Sequence, residues 1–172
     1  GKRPEINLDP VLMYNWKEIE PSKLNFKNYI LVYAYDNRIC DEKEITIIKE
    51  FARKNNKKLI SFGMYQHWCD KNIHCSPLEL ISYFDSADFV ITDTFHGSVI
   101  SIKRNKPFAV IVRESNYNKI NDLLKRLNLT NRKIDDVSSL SNVYSRPIDY
   151  MKVNSIIASE TQKAISYLED NI

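Results

Sequence analysis

Short apolar runs of strand length recur along the chain, and polar or amphipathic stretches separate them. Four runs are apolar at almost every position, at residues 28–36, 57–64, 87–92 and 107–113. Such runs are typical of parallel strands that are buried on both faces of a sheet. Each run is followed by apolar residues at helical spacing, and a further amphipathic stretch ends the chain. The pattern predicts helices that begin near Asp41, Ser76, Gly97, Ile120 and Asn154.

Two of the predicted helices begin with residues that commonly cap helices. Asp41 and Glu44 have the spacing of a capping pair. Ser76 and Glu79 repeat this spacing, and Pro77 between them occupies the first helical position, where proline is favoured. Ser76 is therefore predicted to be the N-cap of the second helix.

Strands that alternate with helices predict an α/β domain with a mostly parallel sheet and helices on both faces. Two segments carry no regular pattern: residues 65–75 are predicted as a polar loop, and residues 130–150 as either a short strand or loops. In parallel sheets of this kind, ligands bind beyond the carboxyl ends of the strands. The candidate binding positions are therefore the strand-to-helix junctions, at residues 35–38, 64–67, 92–98 and 113–117.

Length and composition narrow the functional classes. With 172 residues the chain is long enough for one domain, and its net charge of +3 is too small to indicate nucleic-acid binding. No apolar run reaches the roughly 20 residues that cross a bilayer. Three cysteines, an odd number in a chain that needs no disulfides, favour a reducing, cytoplasmic location. The three glycines form no dinucleotide-binding or phosphate-loop motif, so no nucleotide site of those types is expected.

The third junction contains the sequence ITDTFHGSV, in which a histidine and a glycine follow a predicted buried strand. The N-terminus of a helix attracts anions, and Gly97 would let a ligand approach the backbone closely. The imidazole of His96 could donate a hydrogen bond to such an anion or transfer a proton. The alternative is that a neighbouring threonine or aspartate simply caps the helix and that His96 is an ordinary surface or core histidine.

Two further sets of side chains are candidates for ligand binding. Four potential zinc ligands lie close together in the sequence, at His67, Cys69, His74 and Cys75. Their spacing lacks the paired ligands of common zinc sites, so we predict no metal and interpret the segment as a loop that covers the sheet edge or the site. Arg38 and Arg113 lie at other junctions and could bind an anion, although arginines at such positions are also commonly solvated surface residues.

The segment SPLELISYFDSADFVITDTFHGSVISIKRNKPFAVI resembles the C-terminal half of polysaccharide pyruvyl transferases. The family pattern is an Ala-Asp pair, an apolar strand, the motif Thr-Asp-x-x-His-Gly, a helix of small and apolar residues, and a strand that begins with Lys-Pro. The segments LDPVLMYNW at residues 8–16 and INDLLKRLNLTNR at residues 120–132 are similar to parts that flank this pattern in the family. The resemblance covers most of the chain and is densest over residues 76–112.

The resemblance implies a Rossmann-like, three-layer α/β/α domain, like one lobe of a GT-B fold, over residues 28–172 after a lead-in segment at residues 1–27. It implies transfer of the enolpyruvyl unit of phosphoenolpyruvate to two hydroxyls of a sugar, which yields a pyruvate ketal in cell-surface or capsular polysaccharide. Phosphoenolpyruvate would be the donor substrate, no separate cofactor is expected, and an N-terminal lobe would belong to the same, longer chain. His96 matches the family histidine and is the predicted catalytic residue. The predicted substrate-binding residues are Arg38, Tyr65, Thr94, Phe95, Gly97, Ser98 and Arg113.

One position departs from the family pattern. Members that transfer pyruvate often carry arginine two residues before the histidine, where this chain has Thr94. Threonine cannot form the bidentate contact that a guanidinium makes with phosphate or carboxylate, so donor binding is expected to differ. Two other functions therefore stay open: a GT-B glycosyltransferase lobe that binds a nucleotide sugar, and a non-catalytic lobe that binds a sugar or an anion.

Overall fold

Six parallel strands form one sheet in the computed structural model, which describes residues 6–16, 26–74 and 76–170. The strands are β1 (Tyr29–Tyr33), β2 (Lys58–Phe62), β3 (Lys71–Ile73), β4 (Phe89–Thr92), β5 (Phe108–Ile111) and β6 (Lys133–Ile134). Their order across the sheet is β3-β2-β1-β4-β5-β6, and every neighbouring pair is parallel. The predicted α/β class with a parallel sheet is confirmed.

Helices alternate with the strands along the chain. Their bounds are α1 (Pro10–Met13), α2 (Glu42–Lys54), α3 (Pro77–Ser86), α4 (Phe95–Lys103), α5 (Tyr117–Arg126), α6 (Leu140–Ser145) and α7 (Tyr150–Glu169). In the part of the chain that the structure describes, no helix combines the length and the hydropathy that crossing a bilayer demands.

The central strands are buried on both faces, which explains their uninterrupted apolar character. In β1, Tyr29 and Leu31 pack into a core with α3, α4, α5 and α7, whereas Ile30 and Val32 pack into a second core with α2 and α6. Successive side chains of a strand point to opposite faces, so one apolar run supplies both cores. The result is the predicted arrangement of three layers, α/β/α.

The strand order reverses between β1 and β4, at the centre of the sheet. From β1 the chain proceeds outward through β2 and β3, and it then returns to place β4 on the other side of β1. The helix after β1 lies on one face and the helix after β4 lies on the other, because α2 and α4 belong to different cores. The connections therefore diverge and leave a crevice at the carboxyl ends of β1 and β4, where doubly wound sheets bind their ligands.

Two strands lie in the segments that carried no regular pattern in the sequence. Strand β3 falls within residues 65–75, so the prediction that this whole segment is a loop was wrong. The strand is three residues long and only partly buried at the sheet edge, and it therefore has no apolar run that could reveal it. Residues 130–150 contain the short strand β6, two residues long, which was one of the two alternatives. They also contain helix α6, which the sequence pattern did not predict.

Part of the predicted lead-in segment packs against the domain. The carboxylate of Asp9 caps α1 by accepting the amide N–H of Val11 at 2.9 Å. Leu8 and Leu12 are buried in the same core as α4 and α7, and the ammonium group of Lys103 donates to the carbonyl of Leu12 at 2.6 Å. The described residues of the lead-in therefore contribute to the core, and the boundary at residue 27 stays a prediction.

Candidate functional site

A cavity of about 190 Å³ opens at the carboxyl ends of β1 and β2, beside the start of α4. It lies at the crevice where the strand order reverses. The lining residues come from three strand-to-helix junctions and are Tyr33, Ala34, Tyr35, Phe62, Gly63, Met64, Thr94 and His96. The structure thus brings the predicted residues Thr94 and His96 together at one cavity.

The turn between β4 and α4 is fixed by two threonine hydroxyls. The hydroxyl of Thr92 donates to the carbonyl of Tyr33 at 2.6 Å and accepts the amide N–H of Thr94 at 3.1 Å. The hydroxyl of Thr94 then caps α4 by accepting the amide N–H of Gly97 at 2.8 Å. Of the capping residues considered from the sequence, Thr94 is the one that caps the helix. Helix α4 therefore begins at Phe95, two residues before the predicted start.

Gly97 and Ser98 are buried in the first turn of α4, where they pack against residues of the preceding turn. The hydroxyl of Ser98 donates to the carbonyl of Thr94 at 3.1 Å. A Cβ atom on Gly97 would lie 2.8 Å from the hydroxyl oxygen of Thr94 and 2.9 Å from Cβ of Thr92. Glycine is therefore needed where the helix passes close to strand β4, and a direct contact of either residue with substrate stays a prediction.

His96 is exposed at the rim of the cavity. Its neighbour Phe95 is half-buried against the core, and the two rings meet edge to face with their centroids 5.7 Å apart. Phe95 thus anchors the helix start from inside while the imidazole remains accessible to a ligand. This is the geometry that a proton donor or acceptor requires, because a catalytic group must reach the reacting atoms.

Asp93 is a residue of this site that the sequence reasoning did not select. Its side chain is fully buried, and one carboxylate oxygen accepts the amide N–H of Tyr35 at 3.0 Å. The backbone carbonyl of Asp93 accepts the side-chain amide of Asn116 at 2.6 Å. Burial raises the pKa of the Asp93 carboxyl group, whereas the Tyr35 N–H, Arg38 and Arg113 oppose that rise. The sequence signal that could have identified Asp93 was its position as the first residue after a predicted buried strand.

The two predicted arginines occupy different environments. Arg113 forms a bidentate ion pair with Glu44, with distances of 2.9 and 2.6 Å, and also donates to the backbone carbonyl of Arg38 at 3.3 Å. The prediction that Glu44 completes a capping pair with Asp41 was wrong in this respect, because the Glu44 carboxylate binds Arg113 instead, although Asp41 does cap α2.

Arg38 is the less constrained arginine. Its guanidinium lies over the ring of Tyr35, 4.8 Å from the centroid, and its side chain is 32% exposed. Tyr35 in turn lines the cavity. Arg38 is therefore a cation at the edge of the cavity. Arg113 stabilises the connection after β1, in which Arg38 lies, by its hydrogen bond to the Arg38 carbonyl.

Tyr65 is exposed and follows Met64 in the chain, but it is outside the cavity lining. The next residue, Gln66, is buried and donates from its side-chain amide to the carbonyls of Tyr35 and Ala34, at 3.2 and 3.4 Å. The junction after β2 therefore supports the junction after β1. A contact between Tyr65 and substrate stays a prediction.

The four potential zinc ligands do not form a recognisable site among the described residues, where no group of three or more His, Cys, Asp and Glu side chains is placed to hold a metal ion. Cys75 lies outside the described residues. Cys69 is partly buried, and burial raises the pKa of its thiol, which disfavours the thiolate that binds zinc.

Substituting Thr94 by valine is expected to lower the free energy of unfolding by about 1 kcal/mol, because valine has nearly the same shape but cannot accept the Gly97 N–H. Chemical denaturation of the variant against the wild type measures this difference. Thr94→Ser is the matched control, since serine keeps the hydroxyl and loses only the methyl group. A Thr94→Val variant as stable as the wild type and Thr94→Ser would show that the hydroxyl cap contributes nothing measurable to stability.

Comparison with known proteins gives a family match and a set of similar folds. A sequence model of the family described as polysaccharide pyruvyl transferase matches residues 1–115. The matched region contains β1 to β5 and the whole of the turn around His96. The resemblance that the motif suggested is therefore confirmed independently.

One curated relative, the UPF0173 metal-dependent hydrolase YtkL of Bacillus subtilis (strain 168), is 27% identical over 109 residues, which cover 61% of this chain and 45% of the relative. Two solved structures share the fold at low sequence identity. The glycosyltransferase SnogD from Streptomyces nogalater has a TM-score of 0.50 at 13% identity, over 85% of this chain and 41% of that one. The glycotransferase of kitacinnamycin has a TM-score of 0.55 at 11% identity, over 91% of this chain and 46% of that one.

These structural neighbours are GT-B glycosyltransferases, so the predicted Rossmann-like lobe of GT-B type is confirmed as the fold. The chain spans less than half of each of the relatives with which it was compared.

Proposed function

The chain belongs to the polysaccharide pyruvyl transferase family, and from that membership we propose that it supplies one lobe of an enzyme that transfers pyruvate from phosphoenolpyruvate to a sugar as a ketal. The acceptor is a cell-surface or capsular polysaccharide or its precursor. The observation that carries the proposal is the position of His96, which is exposed at the rim of a cavity where the strand order reverses.

The proposed reaction forms two C–O bonds and breaks one. A proton adds to the CH₂ carbon of phosphoenolpyruvate, which becomes a methyl group, and C2 becomes electron-poor. One sugar hydroxyl attacks C2 and loses its proton, and the bond from C2 to the phosphate oxygen then breaks. The second hydroxyl attacks the same carbon and loses its proton. The products are the cyclic ketal and inorganic phosphate. Of the two hydroxyl protons, one balances the proton that the CH₂ carbon gained, and the departing phosphate takes up the other.

The residues at the cavity can divide this chemistry among them. His96 is the group that gives or takes a proton at the reacting atoms, since its imidazole is exposed at the rim. Arg38 is the cation that can bind the negatively charged donor. It would take the place of the arginine that other family members often carry at position 94, because threonine cannot form that contact. The side chains of Tyr33, Tyr35 and Phe62 make the lining largely apolar, so charges on bound groups interact more strongly there than in water.

The cleft of the enzyme is completed by a second lobe in this proposal. The structural neighbours are roughly twice the length that this chain covers, and the GT-B fold consists of two Rossmann-like lobes. We place the second lobe in the same polypeptide, where it would face the carboxyl edge of β1 and β4. Activity is accordingly a property of the full-length protein.

Incubation of the full-length protein with phosphoenolpyruvate and a panel of oligosaccharides tests the proposal. The expected result is acceptor-dependent release of inorganic phosphate together with the methyl signal of a pyruvate ketal in the proton NMR spectrum of the product. The proposal is wrong if ketal never forms and if the protein neither binds phosphoenolpyruvate nor is stabilised by it against heat.

A nucleotide-sugar-binding lobe is the second candidate function. It is favoured by the cavity lining, in which the described residues include three aromatic rings and neither lysine nor arginine. Flat aromatic surfaces suit a base or a sugar ring. Thermal stabilisation of the full-length protein by nucleotide sugars, with none by phosphoenolpyruvate, would select this candidate. Ligand binding without any turnover would indicate a non-catalytic lobe.

A further inference from the structure

Two oppositely charged side chains beside the cavity, Arg38 and Asp93, face each other without forming a hydrogen bond. The second carboxylate oxygen of Asp93 lies 3.9 Å from a terminal nitrogen of Arg38. Both atoms are buried, and neither has a hydrogen-bond partner among the described residues. A charge-assisted hydrogen bond has a length of about 2.7–2.9 Å. The pair of Arg113 and Glu44 nearby, at 2.6 and 2.9 Å, meets that standard, whereas the pair of Arg38 and Asp93 does not.

The backbone of Arg38 is held while its side chain is not. Arg113 donates to the backbone carbonyl of Arg38, and Glu44 holds Arg113 in turn. The guanidinium rests on the exposed ring of Tyr35, which lines the cavity, and the Arg38 side chain as a whole remains one-third exposed. Because the main chain of Arg38 is fixed and its guanidinium is held loosely, the side chain can turn from Asp93 towards the cavity without any change of fold.

We propose that Asp93 is a positioning residue that retains Arg38 beside the cavity in the absence of ligand, and that an anionic donor draws Arg38 away and leaves Asp93 to take up a proton. The inference rests on the proposed function, because it takes the donor to be phosphoenolpyruvate. Its chemical content is wider, since any ligand with a phosphate group would compete with Asp93 for the same guanidinium.

The direction of the coupling follows from the groups that face Asp93. These are the guanidinium of Arg38 and the N–H of Tyr35 from the connection after β1, and Arg113, paired with Glu44, from the connection after β5. Burial raises the pKa of Asp93, and the positive charge of Arg38 is one of the influences that hold it down. When Arg38 leaves, that influence weakens and the pKa of Asp93 rises further, so binding of the anion takes up protons.

The same reasoning gives the pH dependence of binding. Above its pKa the Asp93 carboxylate competes with the anion for Arg38 and repels the anion directly. Affinity for a phosphate-bearing ligand therefore falls as pH rises through the pKa of Asp93. Asn is the appropriate substitution, because its amide oxygen can still accept the Tyr35 N–H while the negative charge is absent.

Isothermal titration calorimetry on the full-length protein tests the proposal, with phosphoenolpyruvate and inorganic phosphate as separate probes. Each titration is run in two buffers of different ionisation enthalpy, which yields the number of protons taken up. Because both probes titrate themselves, the informative quantity is the difference between the wild type and Asp93→Asn. Asp85→Asn is the matched control, since Asp85 also pairs with an arginine, Arg104, but lies away from the cavity.

The expected result is proton uptake in the wild type and in Asp85→Asn that is absent in Asp93→Asn. At a pH above the Asp93 pKa, Asp93→Asn should also bind the anions about tenfold more tightly. Arg38→Gln, at a partly exposed position, should weaken binding and abolish the uptake, and it provides the test if Asp93→Asn does not fold.

Equal proton uptake in the wild type and Asp93→Asn, or uptake that persists in Arg38→Gln, would overturn the inference while leaving pyruvyl transfer intact. Weaker anion binding in Asp93→Asn would overturn it as well. Uptake on binding inorganic phosphate, with no binding of phosphoenolpyruvate, would support the coupling and reject the proposed donor. Failure of both probes to bind would reject the inference and the donor together.

Discussion

Replacing His96 by alanine is expected to slow acceptor-dependent pyruvyl transfer by about 10²- to 10⁴-fold, the contribution of a positioned proton-transfer group. The expected change in the free energy of unfolding is small, within about 0.5 kcal/mol, because the imidazole is exposed and its ring contact among the described residues is the edge-to-face one with Phe95. The measurement is the initial rate of phosphate release by the full-length protein, with unfolding followed separately by chemical denaturation.

His67→Ala is the matched control for this substitution. His67 is also exposed, but it is outside the cavity lining, so its loss should leave the rate unchanged. A His96→Ala variant that keeps the wild-type rate would remove His96 from the mechanism. His96→Gln separates two roles: glutamine can still donate a hydrogen bond to a bound anion but cannot exchange protons. Recovery of the rate by glutamine would assign His96 to binding, whereas a rate as low as that of alanine would assign it to proton transfer.

The sequence was sufficient for the parts of the fold that have a strong local pattern. Strands β1 and β5 are apolar at every position, and β4 at all but Thr92, because both faces of these strands are buried. The capping box of Ser76 and Glu79 is present as predicted. Strand β3 could not be found in this way. It is short and lies at the sheet edge, and it pairs with β2 through backbone groups that any sequence can offer.

The candidate site was predictable in position but not in its electrostatics. A histidine after a buried strand of a parallel sheet must lie at the carboxyl edge, so the amino-acid pattern alone placed His96 there. The partner of Arg113 could not be predicted in the same way, because Glu44 is 69 positions away and its spacing to Asp41 suggested a local cap. Asp93 was likewise not selected, since its importance comes from complete burial beside two arginines, which only the folded arrangement produces.

Gly97 shows how one residue type supports two interpretations. The sequence suggested that glycine lets a ligand approach the backbone, whereas the structure shows the helix approaching the two threonines of the preceding turn. Each interpretation predicts a different defect in Gly97→Ala. Loss of ligand access would lower affinity and leave stability unchanged, whereas close packing would lower the free energy of unfolding.

Gly97→Ala is expected to lower the free energy of unfolding by up to about 3 kcal/mol, the upper end of the usual cost of overpacking. The added methyl group would lie 2.9 Å from Cβ of Thr92 and closer still to its hydroxyl oxygen. Thr92 cannot turn aside without cost, because its hydroxyl is bonded to the carbonyl of Tyr33 and to the N–H of Thr94. The ordinary gain of replacing a helical glycine by alanine, about 1 kcal/mol, is too small to offset this clash.

Chemical denaturation of three variants distinguishes the clash from a general sensitivity of the helix. Ser98→Ala, at the adjacent buried position, removes one hydrogen bond to Thr94 and should cost only about 1 kcal/mol. In the double variant Thr92→Ala with Gly97→Ala, the nearest hydroxyl is absent, so the combined loss should be smaller than the sum of the two single losses. Strict additivity would show that the hydroxyl of Thr92 is not the group that the new methyl group meets. A Gly97→Ala variant as stable as the wild type would show that α4 has room at this position, and the glycine would then be explained better by the approach of a ligand.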